Sequence, residues 1–147
     1  MAGLPVLLAP RPAEAQEPGS AAEVLDAIDE QEADVARRLR ALSEAVPAAR
    51  AFAGSLLADQ ERHREERRSI RRRLGLPPGA APPAEGSDLR SLGALRSAQE
   101  ALVHAHAEGL PALGDSWAVD RLARHMVELA RHLAVIDLWI EAEESRG

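Results

Sequence analysis

The stretch Gly75-Leu76-Pro77-Pro78-Gly79-Ala80-Ala81-Pro82-Pro83-Ala84-Glu85-Gly86 contains two Pro-Pro pairs and three glycines within twelve residues. Neither a helix nor a strand tolerates that density, so the segment reads as a linker. It divides a chain that is otherwise patterned as helix throughout. Upstream, Ser20 with Glu23 three residues later forms a capping-box signature for a first helix running to about Val46. Pro47 closes that helix and opens a second, which runs to Leu74 with Gly75 as its stop. Downstream, Ser87 or Asp88 is the expected N-cap of a third helix ending around Gly109-Leu110-Pro111, with a brief resumption to Leu113. Gly114-Asp115-Ser116 then opens a fourth helix, expected to reach about Glu144. A second helix of roughly 28 residues is about 42 Å long, and a stretched twelve-residue linker reaches about 37 to 40 Å. That match predicts an all-α fold of two antiparallel helix pairs joined by a Pro-rich crossover, with helices two and three parallel.

Composition narrows the chemistry. Of the 147 residues, 46% are hydrophobic but only 2% aromatic, so the core is built from Ala, Leu, Val and Ile, a mix that favours helices. There is no Cys, no Tyr and no Lys; all 18 basic residues are Arg. Thiol, disulfide, tyrosyl and lysine Schiff-base chemistry are thereby excluded. A formal charge of −6 opposes attraction to phosphate backbones and anionic membrane surfaces, so no nucleic-acid partner is expected. No apolar run approaches the roughly 18 to 20 residues of a membrane span. A homodimer or a protein partner is left open. The first 15 residues combine a short apolar stretch with Ala13-Glu14-Ala15, an A-x-A pattern like the end of a secretory signal, although a positively charged start is missing. The expected layout is therefore a leader over residues 1–18, a signal-peptide remnant or a disordered Pro/Ala-rich stretch, and a bundle domain over 19–147, exported to the periplasm or cell exterior or otherwise cytoplasmic.

The apolar stripes carry the functional signal. In the first helix Leu25, Ile28, Val35, Leu39, Leu42 and Val46 keep steps of three and four, interrupted only where Glu32 takes a member's place. A carboxylate at such a position needs a cation, a metal or a proton; the alternative is that it snorkels outward or meets an Arg of another helix. If it is a buried unpaired relic, Glu32→Leu is expected to stabilise the protein by about 1 to 4 kcal/mol. In the second helix Gln60, His63 and Arg67 interrupt Leu56, Ile70 and Leu74. In the third, Gln99 and His106 fall on the stripe of Leu92, Leu95 and Leu102. The fourth helix reads differently, with Leu122, Met126, Leu129, Leu133, Ile136 and Ile140 as an unbroken seam, and His125, Glu128 and His132 on a flank that is solvated or hydrogen-bonded to a neighbour. The arginines between Arg62 and Arg73, interleaved with Glu61, Glu65 and Glu66, read as a solvated face rather than an anion-binding patch. His104 and His106 point about 160° apart on a helix and cannot share one ion. Trp117 and Trp139 read as packing anchors.

This pattern resembles the ferritin-like superfamily, whose di-iron bundles bring one Glu from each of two helices and a Glu-x-x-His from each of the other two. The resemblance spans residues 20 to 145. It places Glu32 at the first-helix Glu and His63 at the second-helix His, while Gln60 replaces a Glu, Gln99 stands where the bridging Glu would be, and Met126-x-x-Leu129 replaces the second Glu-x-x-His. Neutral amides remove the anionic oxygens that hard cations need, so a full di-iron centre is not expected. The resemblance leaves Glu32, His63 and His106 as candidate ligands for at most one iron or other transition metal, supported by Gln60 and Gln99. Three readings follow. The leading one is a binding or structural module with a degenerate metal centre, not expected to be an enzyme or to need a cofactor. Its rivals are a metal-binding redox protein and a helical sensor that binds a small apolar ligand.

Overall fold

The computed structural model describes residues 20–79 and 89–147. Among them are four α-helices and no strand: α1 (Ala21–Ala45), α2 (Arg50–Arg73), α3 (Leu92–Gly109) and α4 (Ser116–Glu144), with single 3-10 turns at Pro47–Ala49 and Leu110–Ala112. The leader, the Ser87 or Asp88 cap and residues 80–86 of the linker lie outside the described residues.

Helix boundaries follow local chemistry. The Ser20 hydroxyl accepts the Glu23 amide, and the Asp115 carboxylate accepts that of Ala118, so α1 and α4 start where a side-chain acceptor is available. For α3 the N-cap is Ser91, whose hydroxyl accepts the Ala94 amide at 3.1 Å. The third helix is accordingly 18 residues long, shorter than the sequence spacing predicts. At the end of α2, Gly75 has φ 67°, and the Leu76 amide donates to Arg71 and the Gly75 amide to Arg72. That is a Schellman ending, which needs the left-handed residue that glycine supplies. Pro47 opens a 3-10 turn, and the α-helical part of the second helix begins only at Arg50.

Pairs of contacts set the helix directions. Arg67 meets Glu32 while Arg71 meets Asp26, so α2 runs antiparallel to α1. Asp59 meets His132 while Glu66 meets His125, so α4 runs antiparallel to α2. Arg96 meets Asp137 and Gln99 meets the Leu129 carbonyl, whereas the ring of His106 lies against that of His125, so α3 is antiparallel to α4. It follows that α2 and α3 point the same way. They sit diagonally in the bundle, with α1 packed on α2 and α3, and α4 on α3 and α2.

Each helix presents a heptad seam, with steps of three and four, to the interior. These seams are Leu25, Ile28, Glu32, Val35, Leu39 and Leu42 on α1; Ala53, Leu56, Gln60, His63, Arg67 and Ile70 on α2; Leu95, Gln99, Leu102, His106 and Gly109 on α3; and Ala118, Leu122, His125, Leu129, His132 and Ile136 on α4. The last seam corrects the reading of the fourth helix. Leu122, Leu129 and Ile136 are buried as expected, but His125 and His132 complete the buried row, while Met126, Leu133 and Ile140 are only partly covered. Two heptad rows share Leu122, Leu129 and Ile136, and the polar neighbours across on α2 select the histidine row. The tryptophans anchor the two ends of α4. Trp139 stacks on Phe52 at 5.4 Å, and the guanidinium groups of Arg73 and Arg121 each lie over the Trp117 ring, 5.0 Å from its centroid. No described helix is long and apolar enough to cross a membrane.

Candidate functional site

The polar interruptions of the four seams converge at mid-bundle. Glu32 is 1% exposed, and its cation is an arginine: Arg67, also 1% exposed, donates from Nη2 and Nη1 to the two carboxylate oxygens at 2.5 and 3.0 Å. The Arg67 Nε donates to Asp29 at 2.6 Å. Arg71, one turn further on α2, donates to Asp29 at 2.7 Å and to Asp26 at 2.8 Å. Burial alone would lower the pKa of the Arg67 guanidinium, but its bonds to Glu32 and Asp29 outweigh that and hold it above the ordinary arginine value. These contacts correct the solvated reading of the arginine face: Arg67 and Arg71 point inward, and Arg64, Arg68 and Arg72 are the outer members.

The second half of the site joins α2 to α4 through three imidazole–carboxylate bonds. His63 Nε2–H donates to Glu128 at 2.7 Å, His125 Nε2–H to Glu66 at 3.0 Å, and His132 Nε2–H to Asp59 at 2.9 Å. The spacing is complementary. Steps of four and three carry Asp59 to His63 to Glu66 on α2, and the same steps backward carry His132 to Glu128 to His125 on α4. The rings of His63 and His125 stack with centroids 4.1 Å apart, and His106 meets His125 edge-on at 6.3 Å. A carbonyl can only accept, so the 2.8 Å contact from His106 Nδ1 to the Leu102 carbonyl fixes the Nδ1–H tautomer and leaves Nε2 bare.

Burial disfavours the charged form of His63, His106 and His125. His106 is pushed down to about 3 by burial, with Arg67, His125 and His63 adding repulsion. His125 is pushed down to about 4 by burial and by the adjacent His63. Burial likewise lowers His63, partly countered by Glu128. In return, His63 and Arg62 hold the Glu128 carboxyl below its usual range against the opposing effect of burial, and His132 and Arg62 do the same for Asp59.

The five residues named from sequence all lie in the interior, at 0 to 2% exposure. The structure does not assemble Glu32, His63 and His106 around a common point of coordination. Glu32 is engaged by Arg67, His63 by Glu128 and His125, and His106 by its own helix. Gln99 supports no imidazole; its amide donates to the Leu129 carbonyl at 3.0 Å. Gln60, its side-chain atoms buried and unbonded, orients none either. Among the described residues no group of three or more His, Asp or Glu side chains is placed to hold a metal ion. The donor set does not fit a di-iron pair, since its one fully buried carboxylate already carries a guanidinium. The sequence reading missed Asp29, Arg71, Glu66 and Asp59 as members of the network and placed His125 and His132 on a flank. The available signal was the complementary stepping of acids and histidines on the second and fourth helices. His104 is exposed, opposite His106 on α3, as the two-residue spacing requires.

Comparison of the chain with family models, curated proteins and solved structures finds no match.

Proposed function

We propose that this protein is a ferritin-like helical bundle in which an internal guanidinium has taken over the place of a metal, leaving a binding or structural module rather than a redox enzyme. One observation carries the reading: Arg67 delivers a fixed positive charge to Glu32 by two parallel bonds, the geometry that makes arginine the preferred side chain for buried carboxylates. The parallel course of α2 and α3 supports the ferritin-like arrangement with a crossover between the pairs, and the A-x-A pattern at residues 13–15 supports export. A metal ion competing for Glu32 would have to displace Arg67 and leave its charge unpaired in the core, at a cost of several kcal/mol.

The test is the melting temperature with iron, manganese, zinc or a chelator, for the wild type, Glu32→Leu and His63→Ala. The expected result is no metal-dependent rise in the wild type. A concentration-dependent rise that both substitutions remove would overturn this reading in favour of the rival, a metal-binding redox protein using Glu32, His63 and His106.

A further inference from the structure

On the outer side of the Arg67–Asp29–Arg71 network, α1, α2 and residues 76–79 enclose an open cleft of about 580 Å³. We propose that this cleft binds a small multivalent oxyanion, a ligand bearing two or more phosphate or carboxylate groups. Among the described residues five guanidinium groups line it, those of Arg64, Arg67, Arg68, Arg71 and Arg72, with the carboxylate of Asp29 in its wall and those of Glu32 and Asp26 bound to the two inner arginines. The arginines form two tiers. Arg67 and Arg71 are buried and fixed by Glu32, Asp29 and Asp26, three carboxylates against two guanidinium groups, so the base of the cleft is rigid and carries no surplus positive charge. Arg64, Arg68 and Arg72 recur every fourth residue along α2, a ladder of about 12 Å.

The outer tier is available to a ligand. Among the described residues Arg64 and Arg68 are held only by Glu61 and Glu65, pairs between exposed side chains three residues apart, which contribute little. Arg72 donates to the Ser69 hydroxyl, and no carboxylate pairs with it among the described residues. An oxyanion lying along the ladder replaces these weak pairs with bidentate bonds. Leu76 and Pro78 give the cleft an apolar side, and Gly79 closes its rim so tightly that an added Cβ would lie 2.8 Å from Arg71 Nη2 and from Asp29 Oδ2. The positive charge offered to a ligand is that of the outer tier alone, on a chain whose formal charge is −6. This proposal uses the outer arginines and stands independently of whether the centre of the bundle takes a metal.

The experiment measures the melting temperature of the full chain, and heat by titration, with sodium pyrophosphate and with citrate as separate probes, each against sodium chloride at matched ionic strength. The expected result is a saturable heat and a melting temperature that rises with the logarithm of probe concentration, by roughly 4 °C or more at tenfold excess over Kd. It should be lost in the Arg64→Gln, Arg68→Gln, Arg72→Gln triple variant and kept in the Arg124→Gln, Arg131→Gln control on α4. The probe that gives the larger shift distinguishes a phosphate from a carboxylate ligand. The proposal is overturned if neither probe binds saturably, if chloride reproduces the effect, or if the triple variant retains it.

Discussion

Arg67 and Glu32 clasp each other across the α1–α2 interface, both 1% exposed, with each terminal guanidinium nitrogen donating to its own carboxylate oxygen. Removing two charges from water costs several kcal/mol per ion, which mutual attraction offsets only while both partners are present. Losing one partner is therefore costlier than losing both.

The pairing reverses the stabilisation expected for Glu32→Leu from sequence alone. With Arg67 left in the core and only Asp29 to meet it, that substitution is expected to destabilise by about 3 kcal/mol. The double variant Glu32→Leu, Arg67→Met is expected to recover this loss and to match or exceed the wild type. Urea denaturation of the three proteins checks it; a single variant as stable as the double would show that the two charges are not energetically linked.

Acid should weaken the bundle through its histidines. His106 and His125 have pKa values of about 3 and 4 in the folded protein, below the ordinary value of about 6.5 expected when unfolded. The unfolded chain therefore binds more protons as pH falls from about 6.5 towards those values. Stability is complete above that window and declines within it, by about 1.4 kcal/mol per pH unit for each ring. Chemical denaturation at pH 7, 6, 5 and 4.5 should show this decline, and His106→Leu should reduce its slope by about one ring's share. An unchanged slope in that variant would contradict burial of a neutral His106.

A close approach at one end of the bundle is set by Gly109. A Cβ built there would lie 2.3 Å from Cγ1 of Val24, a branched side chain on the facing helix. Despite the better helix propensity of alanine, Gly109→Ala is expected to cost about 1 to 3 kcal/mol through overpacking. Adding Val24→Ala should restore part of that loss. Additive destabilisation in the double variant would place the effect elsewhere.

The start of α3 depends on Ser91. Ser91→Ala should cost about 1 kcal/mol by releasing the Ala94 amide, whereas Ser91→Asp should be close to neutral. Thermal melts of both variants distinguish a side-chain cap from a helix that begins elsewhere.

The number of helices, the caps at Ser20 and Asp115 and the ending at Gly75 were determined by the sequence alone, because each depends on bonds within a few residues. So was the inward position of Glu32, Gln60, His63, Gln99 and His106, since a period of three and four places them among leucines whatever lies opposite. Periodicity could not choose between two rows that share Leu122, Leu129 and Ile136. Hydropathy favours Met126 and Leu133, yet the acids of α2 draw His125 and His132 inward, because a buried imidazole needs a partner and α2 offers Glu66 and Asp59. Nor could it name the cation for Glu32. Arg67 and Glu32 are 35 residues apart, and only the antiparallel packing of α1 on α2 decided that a guanidinium of the same chain would lie within reach of that carboxylate.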